Sequence, residues 1–173
     1  MKTIFFDIDT QMDFMFPSGA LYVPGAEGIV DRVAELNRHA VEHAIPLIST
    51  VDAHAENDPE FEIYPHHCVA GTLGQRKPAA TMVGQIVLEK QKLDCFSNPR
   101  LMPLLGELGA ERCVVYGVVT EICVKLAAMG LLKTGRRVEV VSDAVRSLSE
   151  DAARAWLDEF RSAGGLVLTR AEL

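Results

Sequence analysis

Short, unbroken apolar runs alternate along the chain with longer stretches in which apolar residues recur every three or four positions. Six runs read as strands: Lys2 to Asp9, Pro46 to Val51, Gln85 to Glu89 ending at Lys90, Arg112 to Tyr116, Val138 to Val141 and Leu166 to Thr169. Continuous rather than alternating apolar character marks strands of a parallel sheet covered on both faces. The longer stretches read as amphipathic helices. One follows Pro24-Gly25 with Ile29, Val33, Leu36 and Ala40 on its apolar face, and one spans Pro99 to Leu108. A third runs from Thr120 to Lys133 and is stopped by Gly135, and a fourth follows the N-cap Ser149 through Arg161. Strand and helix alternate except at Ala55 to Met82, a long irregular stretch with Pro59, Pro65, Gly71, Gly74 and Pro78. A loop that long inside a compact domain is usually functional. The pattern predicts one α/β domain over residues 1–173. Its fold is a three-layer, Rossmann-like arrangement, with a six-stranded, mostly parallel sheet and helices on both faces.

Charge and composition narrow the partners. The 173 residues carry a formal net charge of -7 and no Lys/Arg cluster. That argues against nucleic acid or an anionic membrane surface as a partner. No segment approaches the length of a membrane span, and the apolar part of the opening Met-Lys-Thr-Ile-Phe-Phe is too short for a signal sequence. Cys68, Cys95, Cys113 and Cys123 lack C-x-x-C spacing and do not resemble the disulfide framework of a small secreted protein. A reducing, cytoplasmic setting is expected.

The candidate chemistry gathers at strand ends. In Val114 to Leu126 an apolar run reaches Gly117 and ends, and a helical pattern begins near Thr120. Cys123 is thereby expected in the first helical turn beyond the carboxyl edge of the sheet. The unpaired N–H groups and dipole there would favour a thiolate and could hold the oxyanion of an attacked carbonyl. The competing reading of Cys123 is a small buried hydrophobe. Asp9, Asp52 and Lys90 follow the first three strands, so all four residues are expected on one rim, where open parallel sheets bind ligands. That convergence favours function. Asp7 and Asp9, two apart on a strand, are expected to point to the same face. Lys92 competes with Lys90, since both have the same strand parity, but Lys90 stands at the rigid strand end. Asp52-x-His54 with the later His67 is a possible set for Zn²⁺, Fe²⁺ or Mn²⁺, or else a loop held by His–Asp hydrogen bonds. Asp58 could add a ligand or a supporting partner. His39 and His43, four apart on a helix, have no third ligand nearby and read as solvated. Phe14 suggests a pocket wall, whereas Phe16 reads as packing over the sheet edge. Neither nucleotide-binding fingerprint, G-x-G-x-x-G or G-x-x-x-x-G-K-[ST], occurs.

Five motifs then carry a resemblance over nearly the whole chain. They are Asp9-Thr-Gln11-Met-Asp13-Phe14, Gly19-Ala-Leu21-Tyr-Val-Pro24-Gly25, Asp52-x-His54, Pro65-His66-His67-Cys68-Val and Gly117-Val-Val-Thr-Glu121-x-Cys123-Val. The chain resembles the isochorismatase-like cysteine hydrolases, and among them the nicotinamidase/pyrazinamidase group. The resemblance implies a catalytic triad of Asp9, Lys90 and Cys123 and a metal set of Asp52, His54 and His67. It also implies a cis Val118–Val119 bond at the oxyanion hole, and a substrate pocket walled by Phe14 and Tyr64. The implied activity is hydrolysis of a small carboxamide of nicotinamide type to the acid and ammonia through a thioester, by a homo-oligomer that needs a divalent transition metal. Ala53 stands where that group usually has an aromatic residue, and Gln91 to Pro99 departs from its commoner pattern. Another amidase acting on a carbamoyl or ureido compound therefore stays open, as does a non-catalytic binding protein on the same fold. A vinyl-ether hydrolase fits less well, since it needs neither the cysteine nor the metal set.

Overall fold

The computed structural model describes residues 1–173. Its strands are β1 (Thr3–Ile8), β2 (Leu47–Asp52), β3 (Ile86–Lys90), β4 (Arg112–Val118), β5 (Arg137–Arg146) and β6 (Leu166–Leu168). They form one sheet in the order β3-β2-β1-β4-β5-β6, and every neighbouring pair is parallel. The order reverses between β1 and β4, which opens a crevice at their carboxyl ends. The helices are α1 (Met12–Met15), α2 (Val30–Glu42), α3 (Leu101–Glu107), α4 (Lys125–Lys133) and α5 (Glu150–Ser162). Ile4, Phe6 and Ile8 of β1 point to the face covered by α3, α4 and α5, whereas Phe5 points to the face covered by α2. Burial of both faces is why the strands read as continuous apolar runs. Fully burying one such side chain stabilises by roughly 1.5–3 kcal/mol. No helix is long and apolar enough to cross a membrane.

Helix ends follow their expected chemistry. Ser149 Oγ accepts from the Ala152 N–H at the start of α5, and Gly135 takes φ 80° just past α4. The rings of His39 and His43 lie 4.1 Å apart on α2. His43 is exposed, but His39 is half-buried and stacks on Phe5, so only one of the two is fully solvated.

Three expectations are corrected. β4 does not end at Tyr116 but continues through Gly117 to Val118, and β5 continues past Val141 to Arg146. Gly117 has φ 120°, and a Cβ there would sit 2.1 Å from the Ile8 carbonyl oxygen. Glycine thus permits close approach to β1 rather than ending the strand, and β5 shifts register between Val115 and Gly117 to follow it. Gly117→Ala is expected to cost more than about 1 kcal/mol, seen as a lower urea midpoint at unchanged slope. An unchanged midpoint would contradict this account of the β1–β4 junction.

The second correction concerns Asp7 and Asp9, which go to opposite faces. Asp7 is wholly buried on the α2 side. It accepts from Thr10 Oγ1 (2.7 Å) and Asn37 Nδ2 (2.8 Å), and it pairs with Lys77 Nζ (2.9 Å). Asp9 has φ 50°, a left-handed conformation that breaks the strand alternation. Its carboxylate therefore turns to Thr50 and Lys90, which share the other face.

The third concerns the element carrying Cys123. Thr120–Val124 is a π-helical turn, continuous with α4, in which the Val124 N–H donates to the Val119 carbonyl at 3.1 Å. Such wide turns are frequent at functional sites.

Candidate active site

Each candidate side chain is delivered by a strand end. Asp9 follows β1, Lys90 closes β3, and Cys123 sits in the π-helical turn after β4. The structure brings them together. Lys90 Nζ is 2.9 Å from Asp9 Oδ2 and 4.0 Å from Cys123 Sγ. Lys90 is only 4% exposed and also contacts Asp52, a bond that spacing did not suggest. Lys92 is exposed and lines a polar cleft that Lys90 also borders, and it has no part in the pocket lining that includes Cys123. Thr50 Oγ1 donates to Asp9 Oδ1 at 2.6 Å, a role absent from any sequence signal. Asp9 Oδ2 is buried and, apart from its ion pair with Lys90, has no hydrogen-bond partner.

Burial dominates the titration of these groups. It pushes the Asp9 carboxyl above the usual range, against the opposing pull of Lys90. Burial alone would lower Lys90, yet Asp9, Cys123 and Asp52 together hold it well above the ordinary lysine value. Cys123 is raised well above a free thiol, first by burial and then by Asp9 and Asp52, with Lys90 pulling the other way. Burial and the two carboxylates oppose the ionisation that the helix-turn position and Lys90 favour. Two carboxylates, Asp9 and Asp52, share the one ammonium of Lys90 beside this thiol. The other cysteines offer no rival: burial pushes Cys95 and Cys113 up to about 12 and Cys68 higher still.

Asp52, His54 and His67 also meet, with one ligand atom from each inside a 4.8 Å group. Asp52 Oδ2 lies 3.8 Å from His54 Nε2 and 3.9 Å from His67 Nε2. His54 Nδ1 contacts Asp58 Oδ2 (3.0 Å), and His67 Nδ1 contacts the Pro65 carbonyl (2.7 Å). Each outer contact fixes Nδ1 as the donor and leaves the Nε2 lone pair facing inward. His54 Nε2 is buried with no hydrogen-bond partner, which is costly unless something electropositive fills the place. The field favours such a charge, since Asp52 foremost, with Asp58 and Glu60, raises His54 to about 9 despite burial. The donor set therefore fits a divalent transition ion, and Asp58 supports a ligand rather than facing the centre. The motif residues around it act as braces. Gln11 donates to the carbonyls of Asp52 and Gln75 and accepts from the Asp52 N–H (2.7 Å). Asp13 accepts from the Cys68 N–H at 2.7 Å and so anchors the loop that carries His67.

Between the two groups lies a small pocket of about 100 Å³. Phe14 and Tyr64 line it, together with Val118, Val119, Ile122 and Cys123. The Val118–Val119 peptide bond is cis. Glu60, Leu93 and Leu148 also line it and were missed, because they come from loops whose course no periodicity fixes. The polar lining groups are Asp9, Asp52, Glu60 and His67, and no Lys or Arg is among them.

Comparison with known proteins gives a consistent answer. A family profile described as Isochorismatase domain matches residues 3–172. The maleamate amidohydrolase of Pseudomonas putida is 26% identical over 183 residues, 95% of this chain and 82% of its own. The nicotinamidase of Escherichia coli is 26% identical over 95% of this chain and 93% of its own. The pyrazinamidase of Pyrococcus horikoshii, solved in complex with zinc, superposes with a TM-score of 0.92 at 28% identity, covering 98% of this chain and 99% of that one. A profile spanning nearly every residue, on the same six-stranded fold, establishes that this chain belongs to the isochorismatase-domain family.

Proposed function

We propose that the protein is a cysteine hydrolase that cleaves a small, uncharged carboxamide of nicotinamide type to the acid and ammonia. The observation that carries this reading is the buried Lys90 ammonium held against Asp9, Asp52 and Cys123 beside an apolar pocket. Asp9 Oδ2 takes the Cys123 proton as sulfur adds to the amide carbonyl carbon. The backbone N–H groups of Val119 and Cys123 are the donors assigned to the resulting oxyanion. Asp9 returns the proton to nitrogen, the C–N bond breaks, ammonia leaves, and the acyl group remains on Sγ as a thioester. Asp9 then deprotonates water, which attacks the thioester and releases the acid, and the proton goes back to Cys123. Lys90 stays charged throughout and offsets the negative charge that moves between Asp9 and sulfur. Asp52, His54 and His67 are the residues that would hold Zn²⁺, Fe²⁺ or Mn²⁺, and a bound ion supplies Lewis acidity and a binding point for a ligand nitrogen or a water.

The pocket charge selects among substrates. A carboxylate-bearing amide such as maleamate would meet Asp9, Asp52 and Glu60 in the lining, while the nearby Lys90 is already shared by two carboxylates. An unpaired anion is expensive to bury. Phe14 and Tyr64 instead offer surface to a flat, neutral ring. In an amide panel read by ammonia release, nicotinamide and pyrazinamide are expected to exceed maleamate and carbamoyl compounds by on the order of a hundredfold in kcat/KM. The reverse ranking would move the substrate to the carboxylate or ureido class.

The metal reading has its own check. Purified protein analysed for metals is expected to hold about one first-row transition ion per chain, and His54→Ala to lose most of it. Metal-free protein with full amidase activity would leave Asp52, His54 and His67 as loop supports.

A further inference from the structure

Ser147 to Ser149 form a strap that links β5 to α5, and Leu148 on this strap is 57% exposed yet lines the Cys123 pocket. The strap is tied to the nucleophile's own turn by one side chain. Glu121 Oε1 accepts from the N–H groups of both Leu148 (2.9 Å) and Ser149 (2.8 Å). Glu121 Oε2 is buried with no partner. Two charge-assisted hydrogen bonds and the α5 dipole favour this contact, and the unpartnered Oε2 opposes it. What the contact achieves is geometric: it fixes the position of Leu148 relative to Cys123, two residues along from Glu121.

We propose that Glu121 is a positioning residue that pins the strap, and that the pinned Leu148 is a specificity wall limiting the bulk of the acyl group that can reach Cys123. Leu93 and Tyr64 are the other large apolar residues of the same pocket that are more than a third exposed. With Leu148 fixed, an unsubstituted ring passes and a bulkily substituted one is turned away. The substrate consequence rests on the amidase reading, whereas access to Cys123 does not.

The test reads access directly. Cys123 is alkylated with iodoacetamide and, separately, with the bulkier N-phenyl iodoacetamide; sulfur displaces iodide in both, and peptide mass locates the adduct. The bulky-to-small rate ratio is expected to be low in the wild type and to rise on the order of tenfold in Leu148→Ala and in Glu121→Ala. Glu121→Gln keeps an acceptor oxygen and is expected to stay near the wild type. Leu148→Phe is expected to lower the ratio, and it carries the test together with Leu148→Ala should Glu121→Ala fail to fold. A helix-capping role alone would lower the melting temperature of Glu121→Ala and leave the ratio unchanged. A ratio insensitive to residue 148, an unchanged ratio in folded Glu121→Ala, or failure of both reagents to reach Cys123 in Leu148→Ala would each overturn the proposal. Absence of amide turnover would sink the amidase reading and leave this ratio readable.

Discussion

Cys123→Ala is expected to lose amide turnover by on the order of 10⁴-fold or more while keeping the wild-type fold. The loss follows because no other nucleophile shares the pocket. Cys95, Cys68 and Cys113 are buried with raised pKa values, and none of them lines it. The fold is expected to survive because alanine is close in size to cysteine, and the buried residues of the same cluster that follow it, Val124, Ala127 and Ala128, are unaffected. Ammonia release measured beside a circular dichroism melt checks both halves. Appreciable turnover in a clean Cys123→Ala preparation would remove the cysteine from the chemistry.

Substitution of Lys90 should be nearly as severe, and in two separable ways. Lys90 is the shared counter-charge of two buried carboxylates. Lys90→Ala leaves Asp9 and Asp52 facing each other without it, and is expected to cost about 3–5 kcal/mol of stability. Lys90→Gln keeps a hydrogen-bond donor and is the better variant for kinetics, where a fall in kcat of about 10²–10³-fold with a much smaller change in KM is expected. The sign of the pH effect is fixed by charge. Lys90 is the group that pulls the Cys123 pKa down against burial and two carboxylates, so its removal must move Cys123 alkylation to higher pH. Lys92→Ala, on an exposed side chain, is expected to change neither quantity. The reverse pattern in the two lysine variants would transfer the role to Lys92.

The sheet was legible because its central strands are buried on both faces. Ile4, Phe5 and Phe6 in β1, and Cys113, Val114 and Val115 in β4, therefore leave an unbroken apolar signature. The rim residues were legible for a related reason: Asp52, Lys90 and Cys123 are reactive types placed where such runs stop. What escaped depends on single backbone angles and on loops. Nothing local says that Asp9 adopts φ 50° and thereby leaves the face of Asp7. Gly117 reads as a terminator because glycine usually punctuates, and its actual service is to let β4 lie against Ile8. A helix terminus can be seen in sequence, whereas desolvation by the elements packed around Lys90 and Cys123 cannot. Glu60, Leu93 and Leu148 reach the pocket from irregular segments, and only tertiary packing places them.

Partitioning of the acyl group tests the thioester account most directly. Nicotinamide and methyl nicotinate are each supplied with hydroxylamine in the assay, and nicotinohydroxamate and nicotinate are quantified. If both donors pass through one acyl group on Cys123, the ratio of hydroxamate to acid is the same from the amide and from the ester at every hydroxylamine concentration. Ratios that differ between the two donors, or nicotinamide turnover that yields no hydroxamate, would contradict a common thioester and point to direct attack of water on the amide.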